Sequence, residues 1–186
     1  MPQSGGDTGN RERLVLVVGG CRSGKSSFAR VHAESGRGER IFLATSPVFD
    51  QEMEERVRKH REEREGRGWS TLEEPTELVR AIGRCPDGAT VLVDCLTLWI
   101  SNLMFREGTP GLDEDAVALL ADELVRACRG RGGLTVAVAN EVGLGIVPDN
   151  ALARRFRDLA GRVNQIVAAG ADAVFFMSCG LPMRIK

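Results

Sequence analysis

The run Gly19-Gly20-Cys21-Arg22-Ser23-Gly24-Lys25-Ser26 constrains the fold more than any other stretch of this chain. It spells G-x-x-x-x-G-K-[ST] directly after Leu14–Val18, an uninterrupted, mostly β-branched apolar run that suits a strand buried on both faces. Glycines let the backbone curl so that successive N–H groups point inward at phosphates, and a following helix adds the positive end of its dipole. In such a loop Lys25 neutralises the β and γ phosphates, the Ser26 hydroxyl ligates Mg²⁺, and Cys21, Arg22 and Ser23 line the turn. The alternative is a glycine-rich turn with an accidental Lys-Ser. At ordinary residue frequencies such a match arises by chance in roughly one chain of a few hundred. Here it is rarer still, because only Lys25, Lys59 and Lys186 are lysines.

Short apolar runs recur at Arg40–Ala44, Thr90–Val93, Leu134–Ala139 and Ala173–Met177. Ser26–Ser35, Glu52–Arg64, Glu77–Arg84 and Glu114–Arg129 carry apolar positions at helical spacing. The alternation predicts an α/β fold, a mostly parallel sheet with right-handed crossovers and flanking helices. Gly180-Leu181-Pro182 reads as a turn, and Met183–Ile185 as a short antiparallel edge at the C-terminus. Residues 1–13 have no periodicity and read as a disordered tail, leaving 14–186 as one domain. Asp94 closes its strand as a magnesium-holding acid would, or as a strand-end Asp satisfied by a turn. Cys95–Phe105 is too apolar for a surface loop and reads as substrate wall, subunit interface or plain core.

Composition excludes other chemistry. Two histidines, His32 and His60, cannot build a multi-histidine metal site, and five scattered cysteines with no Cys-x-x-Cys pair fit neither a zinc cluster nor a disulfide framework. No signal peptide and no membrane-length apolar run is present, so the expected compartment is the cytoplasm. A formal net charge of -1 gives no electrostatic case for a nucleic-acid or membrane partner.

Residues 51–68 hold six acids and six bases, the pattern of a solvated helix face. Met53, Val57, His60 and Arg64 form the opposite stripe. Imidazole is a competent nucleophile toward phosphorus, yet a lone helical histidine is more often a packed or surface residue, and both readings of His60 stand at this point. His32, in the helix after the phosphate loop, reads as a packing residue.

GGCRSGKS, ATSPVFDQEM, the Arg-Val-x-x-His pattern of residues 56–60, VDCLTLWISNL, NEVGLGIVP, LARRFRDLAGRVNQ and GLPMRIK occur in order from about Leu14 to Lys186. Together they resemble the bifunctional adenosylcobinamide kinase / adenosylcobinamide-phosphate guanylyltransferase family of cobalamin biosynthesis. The resemblance implies a RecA-like P-loop sheet in a homo-oligomer, a trimer. It implies phosphorylation of the aminopropanol hydroxyl of adenosylcobinamide by ATP or GTP. It further implies capture of GMP from GTP on a histidine, release of pyrophosphate, and transfer of GMP to adenosylcobinamide phosphate.

Carried over by position, Gly19, Gly20, Cys21, Arg22, Ser23, Gly24, Lys25 and Ser26 match the nucleotide site, with Lys25 catalytic. Thr45, Ser46 and Pro47 match a further nucleotide contact, and His60 matches the guanylylated histidine, followed by Arg61, Glu62, Glu63 and Arg64. Glu73 and Asp94 match acids that contact nucleotide or metal, Ser26 and Asp94 being the Mg²⁺ pair. The implied partners are a corrinoid and nucleotides. Some relatives carry two adjacent histidines where this chain has Lys59-His60, which leaves His60 as the histidine nucleophile and Lys59 as a conceivable phosphoramidate site; the tail has no counterpart. The competing reading is a RecA-like nucleotide-dependent switch or assembly ATPase, because a phosphate loop alone does not specify the reaction.

Overall fold

Alternate residues of the first strand, β1 (Leu14–Gly19), enter two different cores. Leu14, Leu16 and Val18 join one and Val15 and Val17 the other, so the strand is buried on both faces, as its composition requires. The computed structural model describes residues 12–46, Arg58, Glu62, 64–106 and 111–186. The expected helix Glu52–Arg64 lies outside the described residues except for Arg58, Glu62 and Arg64.

The described elements continue as α1 (Lys25–Glu34), β2 (Arg40–Ala44), β3 (Trp69–Glu73), α2 (Leu78–Arg84), β4 (Thr90–Asp94) and α3 (Leu96–Met104). They are followed by α4 (Glu114–Gly130), β5 (Thr135–Asn140), α5 (Ala151–Gly170), β6 (Ala173–Ser178) and β7 (Leu181–Arg184). One seven-stranded sheet results, in the order β3-β2-β4-β5-β1-β6-β7. All neighbours pair in parallel except β6 and β7. The α/β class and the antiparallel C-terminal edge are as expected. The turn is Cys179-Gly180 rather than Gly180–Pro182, and the edge strand begins at Leu181. Proline is tolerated there because an edge strand has N–H groups that need no partner.

Ala29 and Ala33 of α1 pack on one face of the sheet with Val15, Val17, Phe42, Leu92, Val136 and Val138. The other face takes α2 to α5 over Leu16, Leu43, Val91, Val93 and Ala137. Helix α3 is the segment whose role stayed open. Leu96, Trp99 and Ile100 are buried in that second core, and the Trp99 Nε1–H donates to Thr76 O at 2.8 Å. For those residues plain core is the outcome, whereas Phe105 at the helix end is exposed. Helices α4 and α5 start where side chains accept from their first N–H groups: Asp113 from Ala116, and Asn150 from Leu152 and Ala153.

Glu12 and Arg13, assigned above to the tail, are bonded to the body. His32 Nε2 and Glu12 Oε2 lie 2.9 Å apart, and His32 also packs against Phe28 and Phe175, in keeping with its reading as a packing residue. Asp172 Oδ2 accepts from the N–H groups of Arg13 at 2.7 Å and Leu14 at 3.0 Å, while Oδ1 accepts from Arg129 at 2.8 Å. Burial opposes ionisation of Asp172, but the Leu14 and Arg13 N–H groups and the Arg129 guanidinium outweigh it and hold the carboxyl below its usual range.

A carboxyl with a depressed folded pKa stabilises the fold above the unfolded pKa and ceases to do so as the pH falls through the folded one. Asp172→Asn should therefore be less stable than the natural chain at pH 7, with the gap closing as the pH falls below about 4. Urea midpoints across that range measure it; a gap independent of pH would contradict the assignment.

Candidate functional site

The phosphate loop is built at the carboxyl end of β1, in the middle of the sheet. Gly19 pairs with Asn140 of β5 and Met177 of β6, so strands enclose it on both sides. A Cβ on Gly19 would lie 2.6 Å from Met177 O and 2.8 Å from Ser23 Oγ, which no side chain could survive without displacement. Gly24 precedes α1 at φ +90°, and a Cβ there would press on the Gly180 Cα at 3.2 Å. Arg22 also takes a left-handed φ of 54°. Gly180 N donates to Ser23 O at 3.0 Å, fastening the β6–β7 turn to the loop. Sequence reasoning missed this fastening, since nothing local in the Gly180 region points to Ser23.

Two polar groups mark the inside of the loop. Lys25 is 8% exposed and its Nζ donates to Gly20 O at 2.7 Å, so the ammonium is folded over the loop. Ser23 is equally buried, and its Oγ has no hydrogen-bond partner among the described residues. A buried hydroxyl without a partner costs about 1–3 kcal/mol, a cost that a phosphate oxygen in the loop would remove. The loop therefore fits a polyphosphate on its own geometry.

The other expected residues are spread along the carboxyl edge of the sheet. Neighbouring strands lie about 4.8 Å apart, so Asp94 on β4 ends two strands from β1, roughly 10 Å, and Glu73 on β3 four strands away, roughly 19 Å. Asp94 is half-buried, and neither its carboxylate nor the Ser26 hydroxyl makes a side-chain hydrogen bond or ion pair among the described residues. Those residues hold no cluster of three or more His, Cys, Asp or Glu. That donor set, one hydroxyl and one carboxylate, fits Mg²⁺, which prefers a few protein oxygens and takes the rest from phosphates and water.

Thr45 is fully buried, and its hydroxyl is engaged at both ends. It donates to Cys95 O at 2.7 Å and accepts from Cys95 N at 2.8 Å. Asn102 Nδ2 in turn donates to Thr45 O at 2.7 Å and Pro75 O at 2.9 Å. Thr45 thus ties the end of β2 to the Cys95 backbone beside Asp94. Thr97 does the same next door, its Oγ1 accepting from Asn140 N at 2.6 Å. Sequence reading singled out neither Thr97 nor Asn102; the available signal was a polar residue inside an otherwise apolar helix.

Arg64 is buried with its guanidinium carbon 3.5 Å from the Phe42 ring centroid, against the face of β2 that carries α1. Glu62 is exposed and paired with Arg58. Pro47, His60, Arg61 and Glu63 lie outside the described residues. Burial, and then the Asp94 carboxylate, push the Cys95 thiol up to about 11, so it is no nucleophile at neutral pH. Only Cys21 and Cys179 are exposed thiols.

Comparison with known proteins adds a lineage to this geometry. The family model described as cobinamide kinase / cobinamide phosphate guanyltransferase matches residues 15–185. The bifunctional adenosylcobalamin biosynthesis protein CobU of Salmonella typhimurium is 40% identical over 186 residues, 93% of this chain and 99% of that protein. Its counterpart CobP of Pseudomonas aeruginosa is 41% identical over 174 residues, 92% and 96% of the two chains. CobU of Escherichia coli is 38% identical over 185 residues, 93% and 99%.

Proposed function

This chain belongs to the cobinamide kinase / cobinamide phosphate guanyltransferase family, a family of transferases, and on that premise we propose that it carries out both reactions through one phosphate loop and one nucleophilic histidine. In the first reaction the aminopropanol hydroxyl of adenosylcobinamide attacks the γ-phosphorus of ATP or GTP. The bond to the β-bridging oxygen breaks, the nucleoside diphosphate leaves, and the hydroxyl proton passes to solvent or a base. In the second, an imidazole nitrogen of His60 attacks the α-phosphorus of GTP and expels pyrophosphate. A phosphate oxygen of adenosylcobinamide phosphate then displaces the imidazole, giving adenosylcobinamide-GDP.

The observation that carries this reading is the interior of the loop: a buried Ser23 hydroxyl with no hydrogen-bond partner among the described residues, in the same loop as the folded Lys25 ammonium. Backbone N–H groups of the loop would bind the transferred phosphoryl group, and Lys25 can leave Gly20 O for the phosphate as negative charge moves to the leaving group. Ser26 and Asp94 would hold Mg²⁺, which when bound neutralises phosphate charge. Arg64, stacked on Phe42, anchors the chain four residues after His60. Ser46 after β2 and Glu73 at the end of β3 would contact the nucleotide, with Thr45 holding the strand end from inside the core; a nucleotide-binding role is proposed likewise for Pro47, Arg61, Glu62 and Glu63. Residues 14–186 act as one domain. The enzyme works in the cytoplasm as a homo-oligomer, a trimer; its free thiols are in keeping with a reducing compartment.

Purified protein incubated with adenosylcobinamide, GTP and Mg²⁺ should form adenosylcobinamide phosphate first and adenosylcobinamide-GDP with pyrophosphate second, as followed by liquid chromatography and mass spectrometry. Nucleotide hydrolysis without either corrinoid product would point instead to the switch or assembly ATPase.

A further inference from the structure

The loop after β5 presents apolar side chains to solvent beside the phosphate loop. Leu144 is 77% exposed, Ile146 98% and Val147 57%, with Leu152 at the start of α5 46% exposed. Contiguous exposed apolar side chains mark interaction surfaces. The loop is also held. Glu141 N donates to Gly19 O at 3.0 Å, Gly143 N donates to Glu141 Oε1 at 2.8 Å, and Arg154 donates to Pro148 O at 2.9 Å and Asp149 O at 2.6 Å. Both ends are therefore fixed while the apolar tips between them face water, an arrangement suited to a ligand that brings its own apolar surface.

We propose that this loop is the platform for the corrin macrocycle of cobinamide, the ring resting on Leu144, Ile146 and Val147 while its hydroxyl arm reaches the phosphate loop. The proposal rests on the kinase reading above. It commits to this occupant because the reacting hydroxyl sits on a short arm at the ring's edge, so the macrocycle has to lie close to the γ-phosphate. Leu144 is three residues from Glu141, the residue bonded to Gly19, and three residues span at most about 11 Å. A corrin presents broad apolar faces, which the exposed apolar side chains of this loop complement. The other exposed apolar side chains, Leu181, Met183 and Ile185, start at the Gly180 turn fastened to Ser23 and then run away from the phosphate loop along the outer strand β7, so only Leu181 stays near it.

The test is the double variant L144S/I146S beside the natural chain, with the KM for adenosylcobinamide in the kinase step, GTP affinity without corrinoid, and molecular mass in solution as readouts. Loss of two apolar contacts of about 1.4 kcal/mol each should raise KM roughly a hundredfold. GTP affinity and mass should stay unchanged. An unchanged KM, or an equal loss of GTP affinity, would overturn the platform. A raised KM accompanied by a change in mass would overturn it in favour of a second copy of the chain. If the natural chain phosphorylates no adenosylcobinamide, the kinase reading fails and the platform with it; if it does and the variant matches it, the platform fails alone.

Discussion

Lys25→Ala is expected to lower kcat/KM of the kinase step by roughly 10²–10³, the usual cost of removing one preorganised charge from a transition state. The reason lies in the position of the ammonium. It is buried and held at 2.7 Å from Gly20 O, in the loop that also carries the buried Ser23 hydroxyl. No other lysine lies nearby in sequence to replace it; the next is Lys59. Lys25→Arg should restore little, because a broad planar guanidinium does not reproduce the compact point charge of the ammonium. The alanine variant removes the donor to Gly20 O, so thermal unfolding should be measured in parallel. A folded Lys25→Ala protein with full kinase activity would remove the phosphate loop from the mechanism.

His60→Ala should separate the two reactions. Adenosylcobinamide phosphate should still form at a rate within a few-fold of the natural chain, since the hydroxyl attacks the γ-phosphate directly and needs no protein nucleophile. Guanylyl transfer should fall by on the order of 10⁴ or more, as happens when a covalent nucleophile is removed from a site that acts as a unit. Steady-state assays of the two corrinoid products in the same reaction measure both effects. Equal loss of the two activities would mean that His60 supports the fold or binds nucleotide in both steps, and not that it carries GMP.

Local rules made part of this molecule legible from its residues. Leu14–Val18 reads as a strand buried on both faces and Gly19–Ser26 as the turn that leads it into a helix, so the centre of the sheet and the place of the candidate loop were readable together. The strand Trp69–Glu73 was not, because it lies at the sheet edge with Ser70 to Glu73 exposed, and its polar sequence carries no apolar run. Helix α3 was obscured for the opposite reason: Leu96–Met104 is apolar nearly all round, and such a run does not distinguish helix from strand by periodicity.

Candidate contacts divided in the same way. Lys25 and Ser23 lie where the motif implies. The engagement of Thr45 by the Cys95 backbone, and the bond from Gly180 to Ser23, join residues fifty and more positions apart. Long-range pairings of that kind follow from strand order, which no stretch of sequence spells out.

Incubating the natural chain with GTP labelled at the α-phosphate, then digesting it and sequencing the labelled peptide by mass spectrometry, bears most directly on the two-step mechanism. The expected result is one GMP per chain on His60, stable in alkali and lost in acid, as a phosphoramidate should be. Absence of an adduct while adenosylcobinamide-GDP accumulates, or GMP on Lys59 with His60 unmodified, would contradict it.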